Sequence, residues 1–133
     1  MIKLAPFDSN FLVAIKDYVK IHLKPDEGTY YTILVDGKKA GVIGFKVEDN
    51  KKYGLKIGIH QDYRGQGVFG LALDLLARTH NINRMYSEVA IANKASVKAH
   101  QKIGFKRLSP KQENLLKDKG VMYKRNMMLL KKF

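Results

Sequence analysis

The chain contains no cysteine among its 133 residues. This absence excludes disulfide bonds, thiolate metal sites and a cysteine nucleophile in this chain, and it leaves the redox compartment open. Long hydrophobic runs are also missing: none approaches the roughly 18 residues that a membrane-spanning helix needs. The opening residues, MIKLAPFDSNF, lack the apolar region of a signal peptide. We therefore expect no membrane partner and, by default, a cytoplasmic location.

Acidic residues are scarce. The chain has 12 Asp and Glu against 25 Lys and Arg, which gives a formal net charge of +13 and a pI near 9.9. From Lys102 onward, basic residues are opposed by only two acids, Glu113 and Asp118. Such a surface favours anionic ligands such as phosphates, acidic small molecules, acidic proteins or nucleic acid. A solvated basic surface that aids solubility is the alternative, so charge alone does not identify the partner.

The first half of the chain predicts a strand, a helix and an antiparallel meander. The strand is expected over Ile2–Leu4 and the amphipathic helix over Asn10–His22, capped by Asp8 or Ser9. The helical residues expected to face the core are Phe11, Leu12, Ile15, Val19 and His22. Residues 30–59 are predicted to form three strands separated by turns, and Asp36-Gly37 is a strong hairpin signal. Glu48 and the three residues after it are expected to form the next turn of the meander.

The second half predicts a strand–helix–strand crossover and a closing pair of strands. Apolar residues from Val68 to Leu76 follow helical spacing, with Val68, Leu71, Ala72, Leu75 and Leu76 facing a sheet. The crossover makes the next strand parallel to the last strand of the meander. The remaining elements are expected as strand Tyr86–Ala92, a helix opened by Asn93 and closed by Gly104, strand Phe105–Leu108, an irregular polar stretch Ser109–Gly120 and strand Val121–Leu130. We predict one domain over residues 1–133.

A glycine-rich turn precedes the crossover helix. It reads Arg64-Gly65-Gln66-Gly67-Val68-Phe69-Gly70. Glycines allow a sharp turn and a close backbone approach to a ligand, and the following helix N-terminus suits phosphate oxygens. The spacing also satisfies the dinucleotide fingerprint, with an acid, Glu88, about 20 residues downstream. Five residues nevertheless separate the strand from the first glycine, and too few βα repeats follow for a doubly wound sheet.

The chain resembles the GCN5-related N-acetyltransferase (GNAT) superfamily over nearly its whole length. The turn matches the family's cofactor loop, Gln/Arg-x-x-Gly-x-Gly/Ala, except that Phe69 takes the last position. The segment from Asn93 to Gly104-Phe105 resembles the family's second signature. The resemblance implies an α+β, layered fold with a mixed, mostly antiparallel central sheet. That sheet would carry helices on both faces and would be splayed between its two parallel central strands.

The resemblance implies transfer of an acetyl group from acetyl-CoA to a primary amine. Without cysteine, the transfer would be direct, within a ternary complex. The strand before the loop would hold the pantetheine arm, and loop amides would bind the pyrophosphate. The implied cofactor-binding residues are Ile57, Gly58, Ile59, Arg64, Gly65, Gln66, Gly67, Val68, Phe69, Gly70, Asn93 and Ser96.

Two residues are candidates for proton transfer. His100 occupies the position where many relatives carry a tyrosine acid, and the alternative is a histidine of the core. Many relatives place a glutamate base on the strand before the loop, and Lys56 stands there in this chain. Glu88 on the following strand is the replacement we predict, and a surface acid is the alternative. No metal is expected, because no His-Glu-x-x-His pattern occurs.

Other functions stay open at this point. Lys56 and Phe69 would suit a catalytically impaired acyl-CoA-binding module of the same fold. The charge would suit a basic nucleic-acid-binding domain, although no recognition-helix or RNA-binding signature appears. We expect an amine acceptor as partner, with acidic or phosphorylated molecules favoured by the charge, and we leave a homodimer open.

Overall fold

The computed structural model describes residues 1–48 and 52–133, and it divides into two compact units, Met1–Ile82 and Asn83–Phe133. Within the described residues, seven strands and four α-helices confirm the predicted α+β class. None of the helices in these two ranges is long and apolar enough to cross a bilayer. The strands are β1 (Ile2–Pro6), β2 (Thr29–Val35), β3 (Lys38–Glu48), β4 (Lys52–Ile59), β5 (Arg84–Ala90), β6 (Lys106–Arg107) and β7 (Asn126–Lys132). The α-helices are α1 (Ser9–Leu12), α2 (Val68–His80), α3 (Lys94–Lys102) and α4 (Pro110–Asp118).

The first unit contains the predicted antiparallel meander, in the order β1-β2-β3-β4. The hairpin between β2 and β3 turns at Asp36 (φ 50°) and Gly37 (φ 82°), as predicted. Two positive φ values match the right-handed twist of the flanking strands, which explains why this dipeptide is so strong a signal. The next turn was predicted at residues 48–51, and residues 49–51 lie outside the described part of the chain.

The helix predicted over Asn10–His22 is wrong in length. Asp8 caps the helix as expected and accepts hydrogen bonds from the amides of Asn10 (2.9 Å) and Phe11 (3.3 Å). However, α1 ends at Leu12, and a short 3-10 helix follows over Tyr18–Ile21. The residues that flank this 3-10 helix, Asp17 and His22, are left-handed, a conformation that interrupts a regular helix.

Packing on the sheet explains the interruption. Leu12 and Ile15 are buried against Val42 of β3, as the helical spacing predicted. Ile21 packs on β4 at Gly58, where an added Cβ would lie 2.2 Å from the Ile21 side chain. The chain therefore follows these tertiary contacts rather than its helical periodicity, and Val19 and His22, both predicted to face the core, are exposed.

Helix α2 confirms the predicted crossover helix but with a rotated apolar face. Its buried residues are Val68, Ala72, Leu73, Leu76 and Ala77. Leu71, which was predicted to face the sheet, is 59% exposed. The apolar positions of α2 fit two overlapping stripes, so periodicity alone does not select between them.

The second unit contains three antiparallel strands in the order β5-β7-β6. β5 pairs with β7 from Arg84↔Lys132 to Ala90↔Asn126. Met85, Phe105 and Leu129 form its most deeply buried positions. The last strand begins at Asn126, five residues later than predicted, because residues 121–125 form turns instead.

Helix α4 lies within the segment that was predicted to be irregular. Ser109 caps the helix in a capping box with Gln112, and Pro110 occupies the first turn. Its buried Glu113 binds the Arg107 guanidinium through two 2.9 Å hydrogen bonds and accepts a third from the Met128 amide. The Arg107 guanidinium holds the pKa of Glu113 below its usual range. The capping residues and the proline are helix-start signals that the sequence contains. The helix was missed because the polar composition of the segment favoured an irregular stretch.

Candidate functional site

The glycine loop of the first unit ends in an open helix N-terminus. Gly65 (φ 76°) and Gly67 (φ 79°) are left-handed. Among residues 1–48 and 52–133, no heavy atom apart from those of the adjacent residues lies within 4 Å of a Cβ added to either glycine. Gly67 is the N-cap of α2, and the first helical bond runs from the Leu71 amide to the Gly67 carbonyl at 3.4 Å. The first-turn amides therefore have no acceptor within the helix. This arrangement is suited to bind an anion through main-chain N–H groups.

The side chains of the loop point toward the protein rather than into open space. Arg64 donates through Nε to the Ile59 carbonyl (3.0 Å) and through Nη2 to the Lys16 carbonyl (2.9 Å). Gln66 donates to the Asp62 carbonyl at 3.0 Å. The Lys16 amide in turn donates to the Gln61 side chain at 3.0 Å. The loop is therefore braced by its own side chains, and its main-chain N–H groups are the candidates to bind a ligand.

The third glycine of the motif has a different role from the first two. Gly70 lies inside α2, and its φ is not in the left-handed region. Phe69 and Gly70 are half-buried in the first turn, and Val68 is buried beneath them. Only Gly65 and Gly67 therefore need a backbone that other residues rarely adopt.

The predicted pantetheine strand is the end of β4. Ile57, Gly58 and Ile59 are half-buried and pair with β3 at Ile43, Val42 and Gly41. The glycine at position 58 makes room for Ile21, a packing requirement that the sequence did not reveal. A contact between these three residues and a cofactor stays a prediction.

In the second unit, Asn93 opens α3 as predicted. Its side-chain oxygen accepts a hydrogen bond from the Ser96 amide at 3.3 Å. Asn93 is exposed and Ser96 is half-buried. The side-chain oxygen of Asn93 forms the cap. The NH₂ group of the same side chain is therefore the part that can donate to a ligand. The cofactor role assigned to both residues stays a prediction.

His100 is the centre of a buried polar chain in the second unit. It is 3% exposed, and its Nδ1 lies 2.7 Å from the Ser96 carbonyl, so this nitrogen donates. Its Nε2 then accepts from the Ser87 hydroxyl at 2.8 Å. Burial lowers the pKa of His100, which favours a neutral ring despite the opposing effect of the Ser96 carbonyl. These contacts favour the alternative given above, a hydrogen-bonded histidine of the core.

Glu88 holds the segment that leads into β7. Its carboxylate accepts hydrogen bonds from the Tyr123 amide at 3.3 Å and from the Asn126 side chain. Glu88 is exposed, so both bonds lie at the protein surface. The contacts assign Glu88 an anchoring role, and its role as a base stays a prediction.

Comparison with known proteins connects this geometry to a family. The model of the acetyltransferase (GNAT) family matches residues 4–105 of the chain. The chain belongs to the GNAT acetyltransferase family. This membership makes it an acyltransferase and confirms the resemblance seen in the glycine loop and in the segment opened by Asn93. No curated protein sequence matches the chain at a significant level.

Solved structures share the GNAT fold at low identity. An acetyltransferase from Thermus thermophilus has a TM-score of 0.71 and 14% identity, covering 100% of this chain and 97% of its own. A GNAT acetyltransferase from Elizabethkingia anophelis with acetyl-CoA bound has a TM-score of 0.68 and 16% identity, with coverages of 99% and 98%. A Bacillus subtilis acetyltransferase in complex with CoA has a TM-score of 0.67 and 16% identity, with coverages of 99% and 97%.

The structure shows a groove in the second unit of this GNAT protein, and the residues that line it include none of the predicted site residues. Its volume is about 370 Å³, and it follows the edge formed by β6 and β7. No group of three or more His, Cys, Asp or Glu in residues 1–48 and 52–133 is arranged to hold a metal ion. The groove is lined by Gly104, Lys106, Arg107, Leu108, Gln112, Leu130 and Lys132.

Sequence reasoning missed the partners of the predicted residues. Ser87 binds His100, and Tyr123 and Asn126 bind Glu88. One signal was available: the alternation of β5 places Ser87 on the same face as the buried Met85 and Val89. A serine on that face requires a buried hydrogen-bond partner, and a histidine on the next helix is a natural one.

Proposed function

We propose that this protein transfers the acetyl group of acetyl-CoA directly to a primary amine. The observation that carries the proposal is the left-handed Gly65–Gly67 loop, which leads into the uncapped N-terminus of α2. Membership of the GNAT family supports the reaction class. The acetyl-CoA bound to the Elizabethkingia anophelis acetyltransferase and the CoA bound to the Bacillus subtilis enzyme support the co-substrate.

The reaction is a substitution at a thioester carbonyl. The amine nitrogen attacks the carbonyl carbon, the carbon–sulfur bond breaks, and CoA leaves as a thiolate that takes up a proton. The attacking amine must be neutral, whereas an alkyl ammonium has a pKa near ~10. Because this chain has no cysteine to carry an acyl group, both substrates must be bound together. Positioning of the two reactants would then supply much of the rate.

The proposed cofactor contacts are given for each unit separately. The first-turn amides of α2 and the loop amides from Arg64 to Gly70 would bind the pyrophosphate. The main chain of Ile57, Gly58 and Ile59 would bind the pantetheine arm. Asn93 and Ser96 would add side-chain contacts at the start of α3. Binding through the main chain fits the way in which Arg64 and Gln66 direct their side chains toward the protein.

We propose that the amine loses its proton to solvent before attack. Both nitrogens of His100 already have hydrogen-bond partners, and the carboxylate of Glu88 already accepts two bonds. If the amine loses its proton to solvent, kcat/KM should rise with pH until the amine is neutral. The catalytic roles assigned to His100 and Glu88 from the sequence stay predictions, and a His100 variant described below tests the first of them.

A catalytically impaired acyl-CoA-binding module is the second candidate function. The same engagement of His100 and Glu88 favours it, since neither residue is poised to move a proton. Nucleic-acid binding is supported only by the net charge of +13. A cytoplasmic location and a homodimer stay predictions.

Two measurements test the proposal in sequence. Acetyl-CoA at millimolar concentration should raise the melting temperature, because a ligand that binds only the native state stabilises that state. A panel of primary amines should then release free CoA thiol from acetyl-CoA. A shift without thiol release would support the binding module, and no shift at all would overturn both. Salt-sensitive binding to random DNA without either signal would support the nucleic-acid function.

A further inference from the structure

Strand β6 is the edge strand of the second unit. The order β5-β7-β6 places it on the outside, and it pairs with β7 at Lys106↔Leu130 and Arg107↔Leu129. In the part of the chain that the structure describes, no further strand lies on its other side. An edge strand of this kind presents main-chain groups that can pair with another chain.

The direction of the main-chain groups along β6 identifies those that face outward. The Leu108 amide donates to the Met128 carbonyl at 3.0 Å, so position 108 faces β7. The Met128 amide donates instead to the buried Glu113 carboxylate at 3.1 Å, and this contact ends the pairing of the two strands. Because main-chain groups alternate in direction along a strand, the N–H and C=O of Arg107 point away from β7. One donor and one acceptor are therefore presented at the outer edge.

The groove described above follows this edge. Its lining combines the exposed side chains of Lys106, Gln112 and Lys132 with the half-buried side chains of Leu108 and Leu130. Small-molecule sites enclose most of the ligand surface, whereas exposed side chains form most of this lining. An open groove along a strand is better suited to an extended chain laid beside that strand.

The groove carries a net positive charge. Within residues 1–48 and 52–133, neither Lys106 nor Lys132 forms an ion pair. The Arg107 guanidinium donates through Nε and Nη2 to Glu113, and the Arg107 side chain is 45% exposed. Because Arg107 neutralises Glu113, this carboxylate does not offset the two lysines. A groove with these charges attracts an acidic ligand.

The same charges disfavour a second copy of the chain as the occupant. Symmetric pairing of two β6 edges would bring Lys106 and Lys132 of one copy close to the same lysines of the other. Like charges on paired strands are destabilising, and lysines on edge strands prevent self-association in this way. An acidic segment on a different protein has no such penalty.

The groove and the start of α3 lie toward opposite ends of β5. The β7 residues of the groove, Leu130 and Lys132, pair with Tyr86 and Arg84 in the first half of β5. Helix α3 and its N-cap, Asn93, follow the last residue of the same strand. The seven residues of β5 span about 20 Å. A partner at the groove would therefore leave the proposed cofactor contact of Asn93 accessible.

We propose that the β6 edge binds an extended acidic segment of a partner protein, which adds a strand beside Lys106–Leu108. The Arg107 main chain would form a pair of hydrogen bonds with the added strand. Carboxylates of the segment would contact Lys106 and Lys132, and its apolar side chains would contact Leu108 and Leu130. The inference concerns a binding surface and does not depend on the proposed acetyl transfer.

Three labelled octapeptides test the inference on the full chain. The first alternates glutamate and valine, the second has glutamine in place of each glutamate, and the third is the first with every amide nitrogen methylated. Fluorescence anisotropy should give a Kd for the first peptide that is about fivefold to tenfold below that of either control. The glutamine peptide tests the charge pairs, and the methylated peptide tests the main-chain pairing. Titration of the ¹⁵N-labelled chain with the first peptide should shift the Arg107 amide.

Lys106→Gln combined with Lys132→Gln is the decisive variant, and Lys119→Gln combined with Lys124→Gln is its matched control. Each variant removes two exposed lysines from the second unit. The groove variant should weaken binding of the acidic peptide about fivefold to tenfold, and the control should change it less than about twofold. Both variants should keep the melting temperature of the unmodified chain and its shift with acetyl-CoA, which shows that the fold and the cofactor site are intact.

Several results would overturn the inference without touching the proposed function. Absence of binding by the acidic peptide at millimolar concentration is the first. Equal affinity for the glutamine peptide would exclude selection by charge, and equal affinity for the methylated peptide would exclude strand addition. Equal weakening by both pairs of substitutions would mean that net charge alone attracts the peptide. A single-stranded oligonucleotide of equal charge that displaces the peptide and binds more tightly would assign the groove to nucleic acid.

Discussion

The glycine loop and helix α3 use their polar groups in opposite ways. At the loop, Arg64 and Gln66 bind carbonyls of the protein, and the main chain around Gly65 and Gly67 is left open. At α3, the His100 side chain is buried and binds both Ser87 and the Ser96 carbonyl. A ligand site made from the main chain depends on glycine spacing, which is visible in a sequence. The role of a side chain depends on hydrogen-bond partners from another element, and a sequence does not show that contact directly.

The largest expected effect is at the loop. Gly67→Asp adds a carboxylate where phosphates are proposed to lie, and like charges placed together cost several kcal/mol. We expect acetyl-CoA affinity to fall by about 100-fold. Calorimetric titration of folded protein with acetyl-CoA measures the change.

Gly120→Asp is the control for this variant. Gly120 is also left-handed (φ 71°), and in the described part of the chain no heavy atom beyond its adjacent residues lies within 4 Å of an added Cβ. Both substitutions therefore add the same charge at a similar backbone cost, and of the two glycines Gly67 is the N-cap of α2. Equal loss of affinity in the two variants would mean that the charge acts without a specific phosphate site at the loop.

A smaller effect on turnover is expected at α3. His100→Phe removes the acceptor of the Ser87 hydroxyl and the donor to the Ser96 carbonyl. Buried groups left without partners should lower the free energy of unfolding by about 1–3 kcal/mol. Turnover per folded molecule should change by less than about threefold, whereas loss of an acid would cost roughly 100-fold.

Ser87→Ala separates the two interpretations of His100 further. It keeps the imidazole and removes only the hydroxyl that donates to Nε2, so it should lower stability and leave turnover nearly unchanged. Denaturant unfolding and single-substrate kinetics at saturating acetyl-CoA provide both numbers. A folded His100→Phe protein that loses about 100-fold in turnover would restore the acid role predicted from the sequence.

The smallest effect is the pH dependence of stability. Burial lowers the pKa of His100 in the folded state, whereas an unfolded histidine titrates near about 6.5. The unfolded chain therefore binds more protons below that pH, and the contribution of His100 to stability, complete above about 6.5, is lost as pH falls. Urea unfolding at pH 7.5, 6.5 and 5.5 should show a shallower decline in His100→Phe than in the unmodified chain. Parallel curves would contradict a buried neutral imidazole.

Local signals predicted much of the fold. The Asp36-Gly37 hairpin, the crossover helix and the Asn93 cap depend on neighbouring residues, and all three are confirmed. The helix expected over residues 10–22 failed because Ile21 packs against Gly58, a contact between distant parts of the chain. Helix α4 was missed although Ser109 and Gln112 form a capping box.

The same distinction between local signals and contacts of distant residues applies to the candidate site. The left-handed turns at Gly65 and Gly67 were predictable, because they follow from residue type. The engagement of His100 by Ser87 depends on the packing of α3 against β5, and that of Glu88 by Tyr123 depends on the pairing of β5 with β7. Backbone conformation could therefore be predicted from residue type, whereas the hydrogen-bond partners of these side chains depend on contacts between separate elements.

Amide chemical shifts during an acetyl-CoA titration test the central claim most directly. At 15.2 kDa, the uniformly ¹⁵N-labelled chain is well suited to this experiment. The account predicts that the largest shifts occur at the amides of Gly65, Gly67 and the first turn of α2. Shifts confined to the groove beside Lys106 and Lys132, or no shifts at millimolar acetyl-CoA, would contradict it.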